Sequence, residues 1–446
     1  MNTDIFKAYD IRGKVGSELN SDVANRVGKA LADWLPKEGP VAVGYDMRPD
    51  SEELAESLIT GLLEQGREVW NIGRVASDMI YFVVGHFELA GGAVVTASHN
   101  PGEYNGIKLC REMAGGIALD TGLDEIRDAT AANEFSAADK QGEVVSKDIM
   151  EAWVDHAIGF LDTDNLKSYK VAVDAANGMA GMVMPYVQKR LPFEVTELYY
   201  ELDGTFPNHE ANPLKPETLL DLQRTITDNG LDFGIAFDGD GDRAVLVDEL
   251  GEPVSGSVLT AILAEYFLKK KPGSTVLHNA ICSNIVPETI LANGGTPIRT
   301  RVGHTIIKNE MAKTNAIFAG EHSAHYYFED NFKADSGLIA ALAGIDVLNK
   351  SGLTLSPLAE KYRVYLNIAE TNFEVEDKEG TMKKVAKSFD DAEVDWLDGV
   401  TVRLADDSWF NLRPSNTEPL LRMNAEAKTQ QQLDALVEQV KTAAGL

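Results

Sequence analysis

The chain has 446 residues and a formal net charge of −29. That length exceeds what one hydrophobic core supports, so two to four domains are expected. The acidic balance excludes a nucleic-acid partner or an anionic membrane surface, and any anionic ligand must be held by a local basic or amide-rich pocket. Cys110 and Cys282 stand in unrelated contexts and suggest neither a disulfide framework nor a metal knuckle, which fits a reducing cytoplasm. The first ten residues, "MNTDIFKAYD", carry Asp4 and Lys7 where a signal peptide needs an uninterrupted apolar run. The longest apolar stretch, 337–345, is too short to span a bilayer. A cytoplasmic protein, monomeric or weakly homodimeric, is expected.

In chain order, a strand–helix–strand–strand plan recurs three times. Its copies open on "VAVGYD" (41–46), "VAVDAANG" (171–178) and "TVLHNA" (275–280). An amphipathic segment follows, such as "ELAESLITGLLEQG" at 53–66, then a β-rich run: "REVWNIG", "FEVTELYY" or "TPIRTRVG". The third strand of each copy runs into a polar loop: "GGAVVTASHN", "DFGIAFDGDGD" or "NAIFAGEHSAH". Such alternation predicts α/β domains with mainly parallel sheets. The polar loops fall at carboxyl ends of strands, the edge where open α/β sheets bind ligands. After about residue 355 three β-like runs, with helices at 377–390 and 428–444, indicate an α+β domain. The expected domains are 1–138, 139–252, 253–355 and 356–446, arranged as three similar α/β domains and a smaller C-terminal one around a central cleft.

"DGDGDR" (238–243) is the strongest metal signal. Asp238, Asp240 and Asp242 alternate with glycines that let the loop curl their oxygens onto one hard cation. An EF-hand would require glycine where Arg243 stands, and helices where the flanks read as strands. Ser98, in "TASHNP", lacks the G-x-S-x-G elbow of a hydrolase, and His99, its next neighbour, is expected to project in another direction. By local chemistry Ser98 is either a turn residue or, facing a divalent cation, a phosphoryl carrier. "GEHSAH" (320–325) has the donors and acceptors of a sugar-reading loop, or of a plain exposed loop. "RPSNTEP" (413–419) combines an arginine fork with hydroxyls and amides suited to phosphate, or forms a turn whose arginine pairs with a local acid. Arg12 in "AYDIRG" and His304 in "RVGHTIIK" are weak signals alone; Lys308 lies one helical turn past His304.

In this order and spacing, "TASHNP" with Lys108, "DGDGDR", "GEHSAH" and "RPSNTEP" resemble the α-D-phosphohexomutases, and "FKAYDIRG" (6–13) resembles their N-terminal signature. Within that family, "GEHSAHYYF" and "DGTFPNHEANPL" look most like the bacterial phosphomannomutases. The resemblance implies a mutase interconverting mannose 1-phosphate and mannose 6-phosphate through a phosphoserine and a hexose 1,6-bisphosphate. Ser98 would carry the phosphoryl group, with Asp238, Asp240 and Asp242 holding Mg2+ against it. Tyr9 would bind substrate, while Arg12, Lys108 and Arg243 would surround the transferring group. Lys108 is implied as general base, which requires a pKa depressed by neighbouring cations. Glu321 and Ser323 would read sugar hydroxyls, with His325 and His304 as proton carriers near the substrate. Arg413, Ser415, Asn416 and Thr417 would clamp the unreacting phosphate. Two departures stand out. "LHNAICSN" (277–284) has no basic residue where relatives often carry one, leaving Asn279 or His278 to substitute, or the substrate preference to differ. His322 stands where many relatives have methionine. Phosphoglucomutase or dual specificity is the nearest alternative. A sugar-phosphate sensor would need neither Ser98 nor Lys108, and a phosphatase would need a water-positioning base beside Ser98.

Overall fold

The computed structural model describes residues 1–136, 138–414 and 420–445. Among them the strands form four sheets. The first runs Ile11–Lys14, Tyr104–Arg111, Gly91–Val95, Val41–Tyr45, Val69–Arg74, Val144–Ser146, with Gly115–Gly116 paired to Tyr104–Arg111. The second runs Ala244–Val247, Phe233–Phe237, Lys170–Asp174, Glu194–Leu198. The third runs Thr296–Thr300, Thr275–Asn279, Phe318–Gly320, Tyr326–Phe328, Ala334–Asp335.

These three sheets share one plan. The opening strand lies between the second and third strands, parallel to both, and a fourth strand returns antiparallel to the third. Two elements therefore join the predicted plan. The second and third strands flank the first, so the chain must cross over between them, which takes a helix. These helices are Ser77–His86, Leu220–Asn229 and His304–Thr314. Ser77–His86 escapes periodicity because every residue from Ser77 to Gly85 is buried, leaving no polar stripe. Its surroundings explain this: Ser77 Oγ donates to Asp240 of the second unit at 2.5 Å, and Asp78 accepts from Ser336 Oγ of the third at 2.6 Å.

The fourth strand has a larger consequence. The third and fourth strands form a hairpin in every unit, so each polar loop is a hairpin loop at one sheet edge. Ser98, Asp238–Asp242 and Glu321–His325 all occupy it. One apolar core runs through the first three units, and Trp153 on helix Met150–Ile158 is fully buried in it, 5.4 Å from Phe82 between ring centroids. Trp153→Ala is expected to lower unfolding free energy by about 3–5 kcal/mol, read from the urea midpoint at unchanged slope.

The C-terminal unit is antiparallel: Leu366–Asn367, Leu420–Ala427, Trp409–Pro414, Val400–Arg403, Glu393–Asp395, with Thr371–Glu374 on Leu420–Ala427. Helices Lys378–Ala386 and Gln430–Ala444 complete a core of its own around Phe410 and Leu436. Its seam with the third unit includes polar contacts. Glu426 accepts from the Asn284 backbone N–H at 2.9 Å, Arg403 donates to Asn284 Oδ1 at 2.8 Å, and Asp398 accepts from the Val302 N–H at 2.9 Å. Among the described residues no helix is long and apolar enough to cross a membrane.

Candidate active site

A cleft of about 1530 Å³ opens between the units, lined by Tyr9, Arg12, Ser98, Lys108, Arg243, His304, Glu321, Ser323, His325 and Arg413 among others. The cleft is larger than the roughly 300–1,000 Å³ of ordinary small-ligand pockets. Residues distant in the chain share it because three hairpin loops and the first strand point the same way.

Ser98 follows the wholly buried strand Gly91–Val95 and adopts φ +51°. This left-handed conformation costs a β-carbon residue about 1–2 kcal/mol. Its N–H donates to Thr96 Oγ1 at 2.9 Å, and its hydroxyl donates to Asp238 Oδ2 at 3.0 Å. The same hydroxyl lies 3.1 Å from His99 Nδ1, which corrects the expectation that His99 projects away. Neighbouring side chains diverge only along extended backbone; the left-handed turn at Ser98 brings them together. No Ser–His–carboxylate relay results. His99 Nδ1 also accepts from Arg243 Nη2 at 3.0 Å, and burial, then Arg243 and Arg12, hold its pKa well below the usual range. His99 is therefore a neutral acceptor.

Asp238, Asp240 and Asp242 are buried, with one oxygen of each within 4.8 Å of the others. Burial and mutual repulsion push the Asp238 pKa well up. Burial also opposes charge on Asp240 and Asp242, but Lys108, joined by Ser77 at Asp240 and by His325 and Arg243 at Asp242, draws both down. Lys108 Nζ donates to Asp240 Oδ2 and Asp242 Oδ2, each at 2.6 Å. Asp240 Oδ1 and Asp242 Oδ1 remain buried without hydrogen-bond partners. Converging hard oxygens with two unshared acceptors fit a divalent cation. Ser77, which motif reading missed, donates to Asp240 Oδ2. Lys108 itself departs from the implied depression. Burial disfavours its charge, but Asp240 and Asp242 raise its pKa well above the usual value. In this arrangement Lys108 keeps its proton.

Arg243 ties the aspartate loop to the sugar loop. Its backbone N–H donates to Asp238 Oδ1 at 3.2 Å, and its Nε donates to His325 Nε2 at 3.2 Å. His325 Nδ1 lies 2.9 Å from Ser323 Oγ. Glu321 accepts from Tyr327 Oη at 2.6 Å, Asn279 Nδ2 at 3.0 Å and the Gly303 N–H at 3.3 Å, which fixes its carboxylate at the cleft wall. His304, which opens helix His304–Thr314, has no hydrogen-bond partner on either ring nitrogen. Burial, then Lys308 and Lys108, push its pKa well below the ordinary value, so the ring is neutral. Tyr9 packs edge-on against it at 5.0 Å. Arg12 donates to Asn100 Oδ1 and Asp10 Oδ2, each at 2.5 Å, leaving its guanidinium held beside the Ser98 loop. Lys308 does not line the cleft; it is buried 3.7 Å from Asp335, over the Tyr81 ring.

Neither proposed substitute for the missing basic residue reaches the cleft, whose wall there is Ile281. Asn279 is buried and its amide is taken by Glu321. His278 is buried in its strand, and burial, with Arg299 and Arg403, lowers its pKa to about 4. The unfolded chain then binds this proton more readily, so stability is lost as pH falls below about 6.5 and the loss levels off near 4. His278→Leu is expected to shrink the fall in unfolding free energy between about pH 7 and pH 5 by about 2 kcal/mol. Parallel urea titrations check this, and equal pH slopes would contradict it. His322 lines the cleft, its Nδ1 3.5 Å from Ser257 Oγ.

At the far wall, Arg413 donates to Glu370 Oε2 at 3.3 Å and lies 3.8 Å from Asp398. Arg422, its register partner on the adjacent strand, also meets Glu370, at 3.4 Å, and lines the cleft. Motif reading passed over Arg422 because it sits inside an ordinary strand pattern. Ser415, Asn416 and Thr417 lie outside the described residues.

Four consecutive domains of the family described as Phosphoglucomutase/phosphomannomutase match in order: alpha/beta/alpha domain I over residues 3–137, II over 151–251, III over 255–365 and the C-terminal domain over 370–443. A Xanthomonas campestris pv. campestris protein named "Phosphohexose mutases" is 41% identical over 432 residues, 96% of each chain. The "Phosphomannomutase" of Escherichia coli K12 is 39% identical over 434 residues, 95% of this chain and 94% of its own. A crystal structure of a phosphoglucomutase/phosphomannomutase family protein from Burkholderia thailandensis is 29% identical with a TM-score of 0.91, covering 99% of this chain and 98% of that one. Matched from end to end, with all four domains in sequence, this chain belongs to the phosphoglucomutase/phosphomannomutase family.

Proposed function

We propose that this protein is a cytoplasmic phosphomannomutase that interconverts α-D-mannose 1-phosphate and D-mannose 6-phosphate, with Ser98 carrying the phosphoryl group. The observation that carries this reading is the Ser98 hydroxyl, 3.0 Å from Asp238 of the buried aspartate loop and open to a cleft shared with the sugar loop. Asp238, Asp240 and Asp242 would hold Mg2+, together with an oxygen on Ser98. Bound there, it supplies positive charge to the oxygens of the transferring group.

In one direction, phosphoserine 98 gives its phosphoryl group to the free hydroxyl of the hexose monophosphate. The Ser98 Oγ–P bond breaks as the sugar O–P bond forms, and the hydroxyl proton passes to a base. His304, with both ring nitrogens unpartnered, and His325 stand in the cleft wall to carry it. Arg12 and Arg243 face the spreading negative charge, and Lys108 as an ammonium adds to it. The hexose 1,6-bisphosphate then returns its other phosphoryl group to Ser98, so phosphate moves between C6 and C1. Glu321, Ser323 and His325 orient the ring, while Arg413 holds the unreacting phosphate with Ser415, Asn416 and Thr417.

Two measurements test this. Intact mass should show one phosphate on Ser98 after incubation with hexose 1,6-bisphosphate. kcat/KM should favour mannose 1-phosphate over glucose 1-phosphate; the reverse order makes the protein a phosphoglucomutase, and near-equality a dual-specificity mutase. Turnover by protein that never takes up phosphate at Ser98 would overturn the carrier role.

A further inference from the structure

Ser98 is held by a residue outside every motif. Arg48 follows the strand Val41–Tyr45 and is 3% exposed. Its Nη2 donates to the carbonyls of Ser98 at 2.8 Å and Asn100 at 2.6 Å, and its Nη1 to those of Pro101 and Tyr104, both at 2.9 Å. The remaining donor, Nε, faces Asp46 at 3.3 Å, and Asp46 is fixed by Ser51 Oγ at 2.5 Å. One planar fork thus spans the turn on which the strained Ser98 sits. No other side chain offers five donors in one plane, and lysine cannot reproduce the pattern.

The clamp also reaches the aspartate loop. The Phe206 ring of the second unit lies under the Arg48 guanidinium at 5.2 Å. Gly204, two residues earlier, passes so close that a β-carbon there would stand 2.6 Å from Arg48 Cα. A β-carbon on Gly239, between Asp238 and Asp240, would stand 2.7 Å from the Ser98 carbonyl oxygen that Arg48 holds. That oxygen is therefore fixed between the first unit's arginine and the second unit's metal loop.

We propose that Arg48 is a positioning residue that sets Ser98 against the aspartate loop for phosphoryl transfer, with Phe206 seating its guanidinium. The proposal rests on Ser98 as phosphoryl carrier. Without the fork, the left-handed turn relaxes and the hydroxyl leaves its 3.0 Å approach to Asp238. A misplacement of about 1 Å costs about 10²-fold in rate. Glu321, Ser323 and Arg413 stand on elements Arg48 does not touch, so substrate affinity should survive.

The experiment compares wild type, Arg48→Lys and Phe206→Leu. The readouts are the rate at which dephosphorylated protein gains one phosphate from glucose 1,6-bisphosphate, kcat and KM for mannose 1-phosphate, and the melting curve. Arg48→Lys should load Ser98 and turn over about 10²-fold more slowly with KM within about threefold of wild type. Loading and kcat within about threefold of wild type would overturn the proposal, as would a loss confined to KM. Should Arg48→Lys fail to fold, Phe206→Leu decides: about tenfold slower loading at a preserved melting temperature supports the clamp, and unchanged loading refutes it. If wild type turns over without phosphate ever reaching Ser98, the carrier reading fails and the positioning role falls with it. If wild type loads and both folded variants load equally fast, only the positioning role falls.

Discussion

Ser98→Ala should lower kcat by at least about 10³-fold, because it removes the hydroxyl proposed to carry the phosphoryl group. The variant loses two polar contacts, to Asp238 at 3.0 Å and His99 at 3.1 Å, and gains no strain that the native φ of +51° does not already impose. Its stability should therefore fall by only about 1 kcal/mol. Coupled-assay kinetics beside a melting curve separate the two effects. Retention of a tenth or more of wild-type turnover would remove Ser98 from the phosphoryl path.

Lys108→Met should behave differently, losing both turnover and stability. Its ammonium is buried between Asp240 and Asp242, 2.6 Å from each. Removing it leaves two buried carboxylates facing each other and Asp238. Breaking such a cluster costs about 3–5 kcal/mol, because a charge stays buried without its partner. The penalty should be largest in chelator. Mg2+ should raise the variant's melting temperature by more than it raises that of wild type, since the cation is then the chief remaining counter-charge in the loop. Equal Mg2+-induced shifts would show that the aspartates do not need Lys108 as a counter-ion. Turnover should fall by about 10²-fold or more, as expected for a cation lost beside a transferring phosphoryl group.

The two residues illustrate how far motifs reach. Asp238, Asp240 and Asp242 were legible because their alternation with glycine is local, and local spacing survives folding. Ser98 was legible only as one of two possibilities; its left-handed φ, set by Arg48 and the second unit, decides where the hydroxyl goes. That turn also reversed the expectation for His99. Helix Ser77–His86 stayed hidden because it is buried on all sides, so the polar positions that mark a helix in sequence are absent. Arg48, Arg422 and Ser77 carried no signal because each acts on groups far away in the chain. Asn279 and His278 looked like replacements for a missing cation, yet both are buried, Asn279 with its amide taken by Glu321, and neither lines the cleft.

The sequence by itself determined the chemical inventory of this protein: an acidic loop, a serine turn, a loop rich in carboxylate, hydroxyl and imidazole groups, and an arginine-bearing loop, each closing a β-rich run. It also carried the threefold repeat, since hydrophobic periodicity is a property of neighbouring residues. Tertiary structure alone decided the charge states and directions of those groups. Lys108 holds its proton because Asp240 and Asp242 face it across a domain boundary, and His304 lacks one because burial and two lysines oppose it. Desolvation and Coulomb energy depend on neighbours in space, and those neighbours are assembled only when the hairpin loops meet at one edge.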